Sequence, residues 1–177
     1  MLKRAAVFLD RDGVIIEEDE FLIDYSKARF IERSIDAIRN IPETFLRIIV
    51  SNQSGIARGY FTYEQVEDFN SKLKADLAAN HSPIDEIYFC PHGPNDGCDC
   101  RKPKSGLFDL ARLEYDIDYS RSWVIGDKSS DIQAGKNIGA KTILVLTGYA
   151  GKEPGALAIT ADYTAEDLYE AVEIIKK

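Results

Sequence analysis

The stretch AAVFLDRDGV at residues 5–14 decides the fold of this chain. Its first half, residues 5–9, is apolar and β-favouring, which predicts a short buried strand. Asp10 and Asp12 come where that strand ends, and Gly13 then permits a sharp turn of the backbone. In open α/β sheets, ligands bind beyond the carboxyl ends of the strands. The sequence therefore predicts a functional site at the two aspartates.

Two carboxylates at the end of a strand suit phosphoryl transfer. A carboxylate that is ionised at neutral pH can attack phosphorus and form an aspartyl-phosphate, which divides one hard displacement into two easier ones. A second carboxyl group can protonate the leaving oxygen and then take a proton from the attacking water. A polar strand end with turn-forming aspartates is the alternative interpretation. The motif alone does not decide between the two.

The composition limits the class of protein. The chain has 177 residues, 45% of them hydrophobic, and we expect one domain over residues 1–177 with a sizeable core. No apolar run approaches the roughly 18 residues of a membrane span, and no cleavable signal peptide is visible, so we expect a cytoplasmic protein without a membrane partner. The net charge of −8 argues against nucleic-acid binding. We expect a monomer that acts on a small molecule.

The rest of the chain alternates predicted strands with predicted helices, which indicates an α/β fold: a Rossmann-like parallel sheet with helices on both faces. The further strands are predicted at residues 46–50, 84–89, 122–125 and 141–146. The helices are predicted at residues 31–40, from a capping box at Thr62 and Gln65 to Leu77, at residues 107–113, at about 129–137 and from Thr164 onward. The acidic segment 14–26 is interpreted as a loop or flap over the first strand's end.

Polar and cationic groups that can bind phosphate occur in two places. Ser51, Asn52 and Gln53 follow the second predicted strand and offer a hydroxyl, amides and backbone N–H groups. Lys102 lies in the cationic run of residues 101–104, and a lysine ammonium can neutralise charge on a transferring phosphoryl group. A polar turn and a solvated cationic surface are the alternative interpretations.

Further aspartates predict a cation site. Asp127 follows the fourth predicted strand, and Asp131 comes four residues later, where a helix dipole also favours a carboxylate. Because the carboxyl ends of parallel strands share one edge, these groups are expected near Asp10, and they would repel one another without a cation among them. Mg²⁺ prefers such oxygen ligands. The pattern therefore favours a magnesium-dependent phosphatase.

A second cluster contains all three cysteines of the chain. Cys90, His92, Cys98 and Cys100 lie within residues 90–100 in the pattern C-x-H-x5-C-x-C. Four such ligands match tetrahedral Zn²⁺ and leave no position for water or substrate, so we expect a structural zinc loop that orders the cationic run after it. Free cysteines beside an ordinary histidine are the alternative.

Four motifs together resemble the haloacid dehalogenase (HAD) superfamily of phosphatases. They are LDRDG at 9–13, SNQSG at 51–55, the lysine of CRKPKSG at 100–106, and GDKSSD at 126–131. The resemblance runs through most of the chain. The zinc loop and the absence of room for a large cap domain resemble the capless branch, which contains heptose-bisphosphate and histidinol-phosphate phosphatases. A HAD-like fold is therefore expected.

The resemblance also implies roles for the site residues. Asp10 is expected to be the nucleophile and a magnesium ligand, Asp12 the general acid and base with its backbone carbonyl on magnesium, and Asp127 the third protein ligand. Ser51 and Lys102 are expected to stabilise the phosphoryl group. The implied substrate contacts are Arg11, Glu18, Asp19, Glu20, Phe21, Asn52, Gln53, Ser54, Arg101 and Lys128, with Arg58 as a less certain addition.

The stretch SNQSGIARGYF at residues 51–61 resembles the heptose enzymes, and it is the basis for the expected substrate. Histidinol-phosphate enzymes usually carry aspartate at the position of Ser54 and lack the Ala-Arg-Gly that follows. The expected reaction is hydrolysis of the C7 phosphate of D-glycero-D-manno-heptose 1,7-bisphosphate, and histidinol phosphate is the alternative substrate. A silent binding module and a phosphomutase are further alternatives.

Three features differ from the common heptose pattern or fit both substrates. Ser51 stands where threonine is frequent, although it keeps the hydroxyl. Glu20 precedes Phe21 where glycine is commoner. The zinc loop has a short form that occurs in histidinol-phosphate enzymes as well as in some heptose enzymes.

Overall fold

The computed structural model describes residues 3–177 and contains one six-stranded parallel sheet. The strands are β1 (Ala5–Leu9), β2 (Phe45–Asn52), β3 (Glu86–Cys90), β4 (Trp123–Gly126), β5 (Lys141–Val145) and β6 (Tyr163–Ala165). Their order in the sheet is β3-β2-β1-β4-β5-β6, and every neighbouring pair is parallel. The predicted Rossmann-like α/β fold is confirmed.

Five α-helices within residues 3–177 cover both faces of the sheet. They are α1 (Ser34–Asn40), α2 (Tyr63–Ala79), α3 (Gly106–Tyr115), α4 (Ser129–Ile138) and α5 (Leu168–Ile175). Successive side chains of a strand point to opposite faces, so Val7 and Leu9 enter one hydrophobic core while Ala6 and Phe8 enter the other. Helices α1, α2 and α5 contribute to the first core, and α3 and α4 contribute to the second.

The middle of the sheet brings three strand ends together. In β1, Leu9 pairs with Ile49 of β2 on one side and with Ile125 of β4 on the other. The residues that follow these three strands therefore emerge side by side at the carboxyl edge, as the sequence predicts. The acidic segment after β1 is mostly irregular, with one 3₁₀ turn at Tyr25–Lys27.

Helix α2 begins with the predicted capping box. The Thr62 hydroxyl accepts a hydrogen bond from the Gln65 N–H (3.2 Å), and the Gln65 side chain accepts one from the Thr62 N–H (2.8 Å). The predicted apolar stripe is buried along the helix at Val66, Phe69, Leu73 and Leu77. The stripe fixes which side of α2 faces the sheet.

The last predicted helix is present, but its predicted start at Thr164 is wrong. The segment around Thr164 forms β6, which pairs with β5, and α5 begins only at Leu168, capped by the Asp167 carboxylate on the Glu170 N–H (2.8 Å). A three-residue edge strand is too short to show an alternation of its own. The strong helical pattern beside it therefore extends over these residues in a prediction from sequence.

Other boundaries shift by a few residues. Helix α1 starts at Ser34 rather than at Ile31, because Arg33 adopts a left-handed conformation with φ of 63°. Strand β3 extends to Cys90, which places the first residue of the predicted zinc loop on the sheet. Leu113 of α3 is 85% exposed, so it lies outside the core. Among residues 3–177, none of the helices has both the length and the apolar character of a membrane span.

Candidate active site

Asp10 and Lys102 form the centre of the site. Asp10 directly follows β1, and Lys102 Nζ lies 3.0 Å from its Oδ1 atom. Both side chains are buried. Burial raises the pKa of Asp10, but the positive charges of Lys102 and Lys128 outweigh it and hold the pKa below its ordinary value. Asp10 is therefore ionised at neutral pH, as a nucleophile requires.

The ammonium group of Lys102 is held from three sides. Besides Asp10, it contacts Oδ1 of Asp131 at 2.6 Å and donates a hydrogen bond to the Val50 carbonyl at 2.6 Å. Burial lowers the pKa of Lys102, but the carboxylates of Asp10 and Asp131 reverse that effect and raise it. The lysine therefore keeps its positive charge inside the protein.

Asn52 fixes the backbone of Lys102. Its side-chain amide donates to the Lys102 carbonyl (3.2 Å), and its oxygen accepts from the Lys102 N–H (3.0 Å). Both polar atoms of the Asn52 side chain are thus engaged by the protein, and its expected contact with substrate stays a prediction. Because Asn52 is the last residue of β2, these two hydrogen bonds fix the backbone of Lys102 to the sheet.

Three aspartates gather beside the lysine. Oxygens of Asp10, Asp127 and Asp131 lie within 4.8 Å of one another, and all three residues are buried. Burial, followed by the nearby charge of Asp10, raises the pKa of Asp127 to about 8. Burial likewise raises the pKa of Asp131 to about 6, although Lys102 opposes the change. Such a cluster is unfavourable when fully ionised, so its chemistry suits a cation.

One oxygen of Asp127 is free to take that cation. Its Oδ2 atom accepts a hydrogen bond from the Tyr149 N–H (2.8 Å), whereas its buried Oδ1 atom has no hydrogen-bond partner among residues 3–177. Two glycines with positive φ enclose the carboxylate: a Cβ atom at Gly13 or Gly148 would lie 2.4 or 2.2 Å from Oδ2. Only glycine allows so close a backbone approach. The orphan oxygen in this enclosure fits a metal ligand.

The carboxylate of Asp12 is held by its neighbours. Arg11 contacts it through Nε (3.2 Å) and Nη2 (3.1 Å), and the Gln53 amide donates to Oδ2 at 2.9 Å. The same amide nitrogen lies 2.6 Å from the Ser51 hydroxyl. Gln53 therefore links two residues for which we predicted catalytic roles.

Arg11 borders the cleft over this site, and its guanidinium is engaged within the protein. It is only 1% exposed, and its guanidinium contacts Asp12 on β1's side of the site and Asn70 of α2. These contacts are made within the protein, and the role of Arg11 in substrate binding stays a prediction.

A cleft of about 480 Å³ lies over the site. Asp12 and Lys102 contribute to its wall. All ten predicted substrate residues line it: Arg11, Glu18, Asp19, Glu20, Phe21, Asn52, Gln53, Ser54, Arg101 and Lys128. The structure thus brings together groups from the acidic segment, from the turn after β2 and from the end of β4. Arg58 also lines this cleft.

An ion pair ties the acidic segment to the end of β4. Lys128 Nζ lies 2.9 Å from Oε2 of Glu18 and 4.9 Å from the ring centre of Tyr149. Burial raises the pKa of Glu18 despite the opposing charge of Lys128. Burial lowers the pKa of Lys128, but Asp10, Asp127 and Glu18 together raise it above its ordinary value. Lys128 is therefore a fixed positive charge at the mouth of the cleft.

The Cys/His cluster is also assembled. Ligand atoms of Cys90, His92, Cys98 and Cys100 all lie within 4.8 Å of one another, and the three cysteines form no disulfide. Measured separations include 3.7 Å between the sulfurs of Cys90 and Cys98 and 3.2 Å between His92 Nδ1 and the Cys100 sulfur. Tetrahedral zinc–thiolate ligands at their usual bond length stand about 3.8 Å apart. The cluster is compatible with zinc.

Known proteins resemble this chain along nearly its whole length. Residues 99–171 match the HAD-hydrolase-like family. D-glycero-beta-D-manno-heptose-1,7-bisphosphate 7-phosphatase of Yersinia pestis is 39% identical over 181 residues, which cover 97% of this chain and 95% of that enzyme. The enzyme of the same name from Escherichia coli strain K12 is 38% identical over 182 residues, with coverage of 97% and 94%. The chain belongs to this heptose-bisphosphate phosphatase family. The predicted resemblance is confirmed.

A solved structure from the heptose-bisphosphate phosphatase family has the same fold. D,D-heptose 1,7-bisphosphate phosphatase from B. bronchiseptica, crystallised with magnesium and phosphate, superposes with a TM-score of 0.84 at 30% identity. The match covers 97% of this chain and 98% of that one. The expected HAD-like fold is therefore confirmed.

Sequence reasoning missed one wall of the cleft. Tyr149, Glu153 and Leu157, from the loop after β5, line it. Glu153 Oε1 accepts a hydrogen bond from the Ser129 N–H (2.8 Å), which docks this loop on the start of α4. Gly and Pro residues at 148–155 mark a loop at the same edge of the sheet, and that was the available signal.

Proposed function

We propose that this phosphatase hydrolyses the C7 phosphate of D-glycero-D-manno-heptose 1,7-bisphosphate through an aspartyl-phosphate on Asp10. The observation that carries the proposal is the buried Asp10 carboxylate, 3.0 Å from Lys102, below a cleft that Asp12 lines. The names of relatives 38–39% identical over nearly the whole chain support the substrate.

The chemistry divides into two displacements. In the first, a carboxylate oxygen of Asp10 attacks phosphorus, the bond from phosphorus to the sugar oxygen breaks, and Asp12 gives its proton to that oxygen. In the second, Asp12 takes a proton from water, whose oxygen attacks phosphorus as the bond between phosphorus and the Asp10 oxygen breaks. Inorganic phosphate leaves, and both carboxyl groups return to their starting states.

Two residues are proposed to stabilise the transferring phosphoryl group. Lys102 supplies a positive charge whose position is fixed by Asn52 and Asp131. The Ser51 oxygen accepts the Gln53 amide hydrogen at 2.6 Å, so its own O–H can donate to a phosphoryl oxygen. Charges and dipoles that are already oriented need no reorganisation as the transition state forms.

A magnesium ion is proposed at the aspartate cluster. Asp10, Asp127 and the backbone carbonyl of Asp12 would hold it, and the unpartnered Oδ1 atom of Asp127 supports this assignment. When bound, Mg²⁺ neutralises the repulsion of the carboxylates and polarises a phosphoryl oxygen. Asp131 is better described as the partner of Lys102, because both its oxygens accept protein contacts.

A zinc ion is proposed at Cys90, His92, Cys98 and Cys100. Four protein ligands leave no position for water, so its role would be structural. Arg101 directly follows the last ligand and donates to the His92 carbonyl at 3.2 Å. Zinc would thereby order Arg101 at the cleft and Lys102 beside it.

Specificity is proposed to come from the rim of the cleft. Arg101 and Arg58 offer guanidinium groups for the phosphate that remains on the sugar, because this side chain binds phosphate in a fork geometry. The sugar or the reacting phosphate would be contacted by other residues that line the cleft, namely Glu18, Asp19, Glu20, Phe21, Gln53, Ser54 and Lys128. Monomeric state and a cytoplasmic location stay predictions.

The test compares catalytic efficiencies on heptose 1,7-bisphosphate, heptose 7-phosphate and histidinol phosphate, with and without Mg²⁺. We expect the bisphosphate to be the best substrate and Asp10→Asn to abolish turnover, whereas the exposed Asp36→Asn serves as a matched control. A tenfold preference for histidinol phosphate, about 1.4 kcal/mol in transition-state binding, would contradict the substrate. Turnover by folded Asp10→Asn protein would contradict the mechanism.

A further inference from the structure

Arg11, which separates the two aspartates of the first motif, links Asp12 to a helix outside the site. Its Nη1 atom donates to Oδ1 of Asn70 at 3.0 Å, and Asn70 lies in the middle of α2. We propose that Arg11 is a positioning residue that, anchored by Asn70, orients the Asp12 carboxylate for proton transfer. The inference rests on the proposed function, in which Asp12 is the general acid and base.

The contacts of Arg11 leave its guanidinium little freedom. Nε and Nη2 contact the Asp12 carboxylate, Nη1 contacts Asn70, and the plane lies over the Phe69 ring with Cζ 4.4 Å from its centre. Phe69 and Asn70 are consecutive residues of α2, and both are buried. A buried guanidinium is costly unless its charge and donors are paired. Here α2 supplies the ring face of Phe69 and the acceptor oxygen of Asn70, so the guanidinium of Arg11 is held in one orientation.

The Asp12 carboxylate needs such a support. It is the more exposed member of the pair, with 15% of its side chain accessible against 2% for Arg11. Arg11 donates to both carboxylate oxygens and Gln53 donates to Oδ2, so Arg11 is the one donor to Oδ1 in the described part of the chain. Losing the Asn70 anchor would therefore release the group that holds Oδ1.

Proton transfer depends steeply on this orientation. A general acid must reach the leaving oxygen within hydrogen-bond distance, and a displacement of about 1 Å can cost roughly a hundredfold in rate. An alkoxide leaving group needs the proton, whereas p-nitrophenolate leaves readily without it. A fault in Asp12 positioning should therefore change the ratio of efficiencies on these two kinds of substrate.

The experiment uses the full zinc-loaded chain with Mg²⁺ and measures kcat/KM, which reports the first chemical step. Asn70→Leu removes the acceptor at similar volume, Asn70→Asp keeps it, and the exposed neighbour Ser71→Ala is the control. For Asn70→Leu we expect roughly a tenfold loss on a sugar phosphate and at most about threefold on p-nitrophenyl phosphate. Asn70→Asp should recover the wild-type ratio, and Ser71→Ala should not change it.

Equal losses on both substrates, or no loss on either, would overturn the inference, because a merely structural role does not discriminate between leaving groups. Should Asn70→Leu fail to fold, Arg11→Lys gives the same test, since lysine keeps the charge but not the fork. Failure of the proposed function is separate. It would appear as wild-type protein without Asp10-dependent hydrolysis of either substrate.

Discussion

Lys102 and Asp131 form a buried ion pair in which the ammonium nitrogen lies 2.6 Å from Oδ1 of the carboxylate. The other oxygen of Asp131 accepts a hydrogen bond from the Lys128 N–H at 3.1 Å, so the carboxylate also closes the first turn of α4. The lysine that faces Asp10 is thus held by the start of a helix. Stability and catalysis depend on the same contact.

Replacing Asp131 by asparagine should therefore lower both the stability of the protein and its catalytic activity. We expect Asp131→Asn to lower the free energy of unfolding by about 3 kcal/mol, because it removes a partner from a buried charge. Asp68→Asn breaks an exposed pair of similar length, 2.7 Å to Lys72, and should cost at most about 0.5 kcal/mol. Urea unfolding at pH 7 measures both. Equal losses would contradict the assigned role of burial.

Stability without magnesium should fall as the pH rises. The Asp127 carboxyl has a pKa of about 8 in the folded protein against an ordinary 3.8, so the folded state holds one more proton than the unfolded state between these values. The free energy of unfolding then falls with a slope of about 1.4 kcal/mol per pH unit. Asp131, with a pKa of about 6, adds to the slope only below that pH.

The measurement is urea unfolding of zinc-loaded protein at pH 6, 7 and 8 in magnesium-free buffer. Chelators are omitted because they would also remove zinc. Asp127→Asn should flatten the dependence above pH 6. Added Mg²⁺ should stabilise the wild type more at pH 8 than at pH 6, since its ligands must lose their protons to bind it. A wild-type stability that does not vary over this range would contradict the assignment of Asp127.

The zinc proposal is checked by metal content. Purified protein should hold about one zinc per chain, and Cys98→Ser should reduce this to near zero and lower the thermal unfolding temperature, because structural zinc binding is coupled to folding. Asp99→Ser changes the adjacent, almost fully exposed residue and serves as the control. Metal-free protein with three titratable thiols would rule out the site.

Arg101 should distinguish the bisphosphate from a monophosphate. Arg101→Ala is expected to lower kcat/KM roughly tenfold on heptose 1,7-bisphosphate and less on heptose 7-phosphate. The reason is that the guanidinium group removed by this change binds the phosphate that does not react. Arg121→Ala removes an exposed arginine outside the cleft and provides the control. Equal losses on the two sugars would place Arg101 at the reacting phosphate instead.

The strand ends were predictable because their signals are local. A run such as residues 5–9 predicts a strand without reference to the rest of the chain, and the parallel arrangement then brings Asp10 beside Ser51 and Asp127. The four zinc-ligand candidates were predictable for the same reason. Their spacing within one short segment limits how far apart they can lie.

The misjudged features depend on distant neighbours. The strand character of Tyr163–Ala165 comes from pairing with β5, which its three residues do not encode. The contact of Arg11 with Asn70 joins residues 59 positions apart, and it depends on the packing of α2 against the sheet. Tyr149 and Glu153 reach the cleft because their loop docks on α4. The residues alone mark a loop at 148–155, but they do not show which neighbours these three features contact.

The loop docked by Glu153 has a consequence for how new specificities arise. It forms one wall of the cleft through side chains at positions 149, 153 and 157, while Asp10 and Ser51 belong to the ends of strands. Transplanting this loop between relatives should therefore exchange substrate preference without rebuilding the catalytic centre. Tyr149 sets the limit of such a graft, because its N–H must still reach Asp127. The side chain at position 157 is therefore free to vary, whereas the backbone at Tyr149 and the docking carboxylate of Glu153 are not.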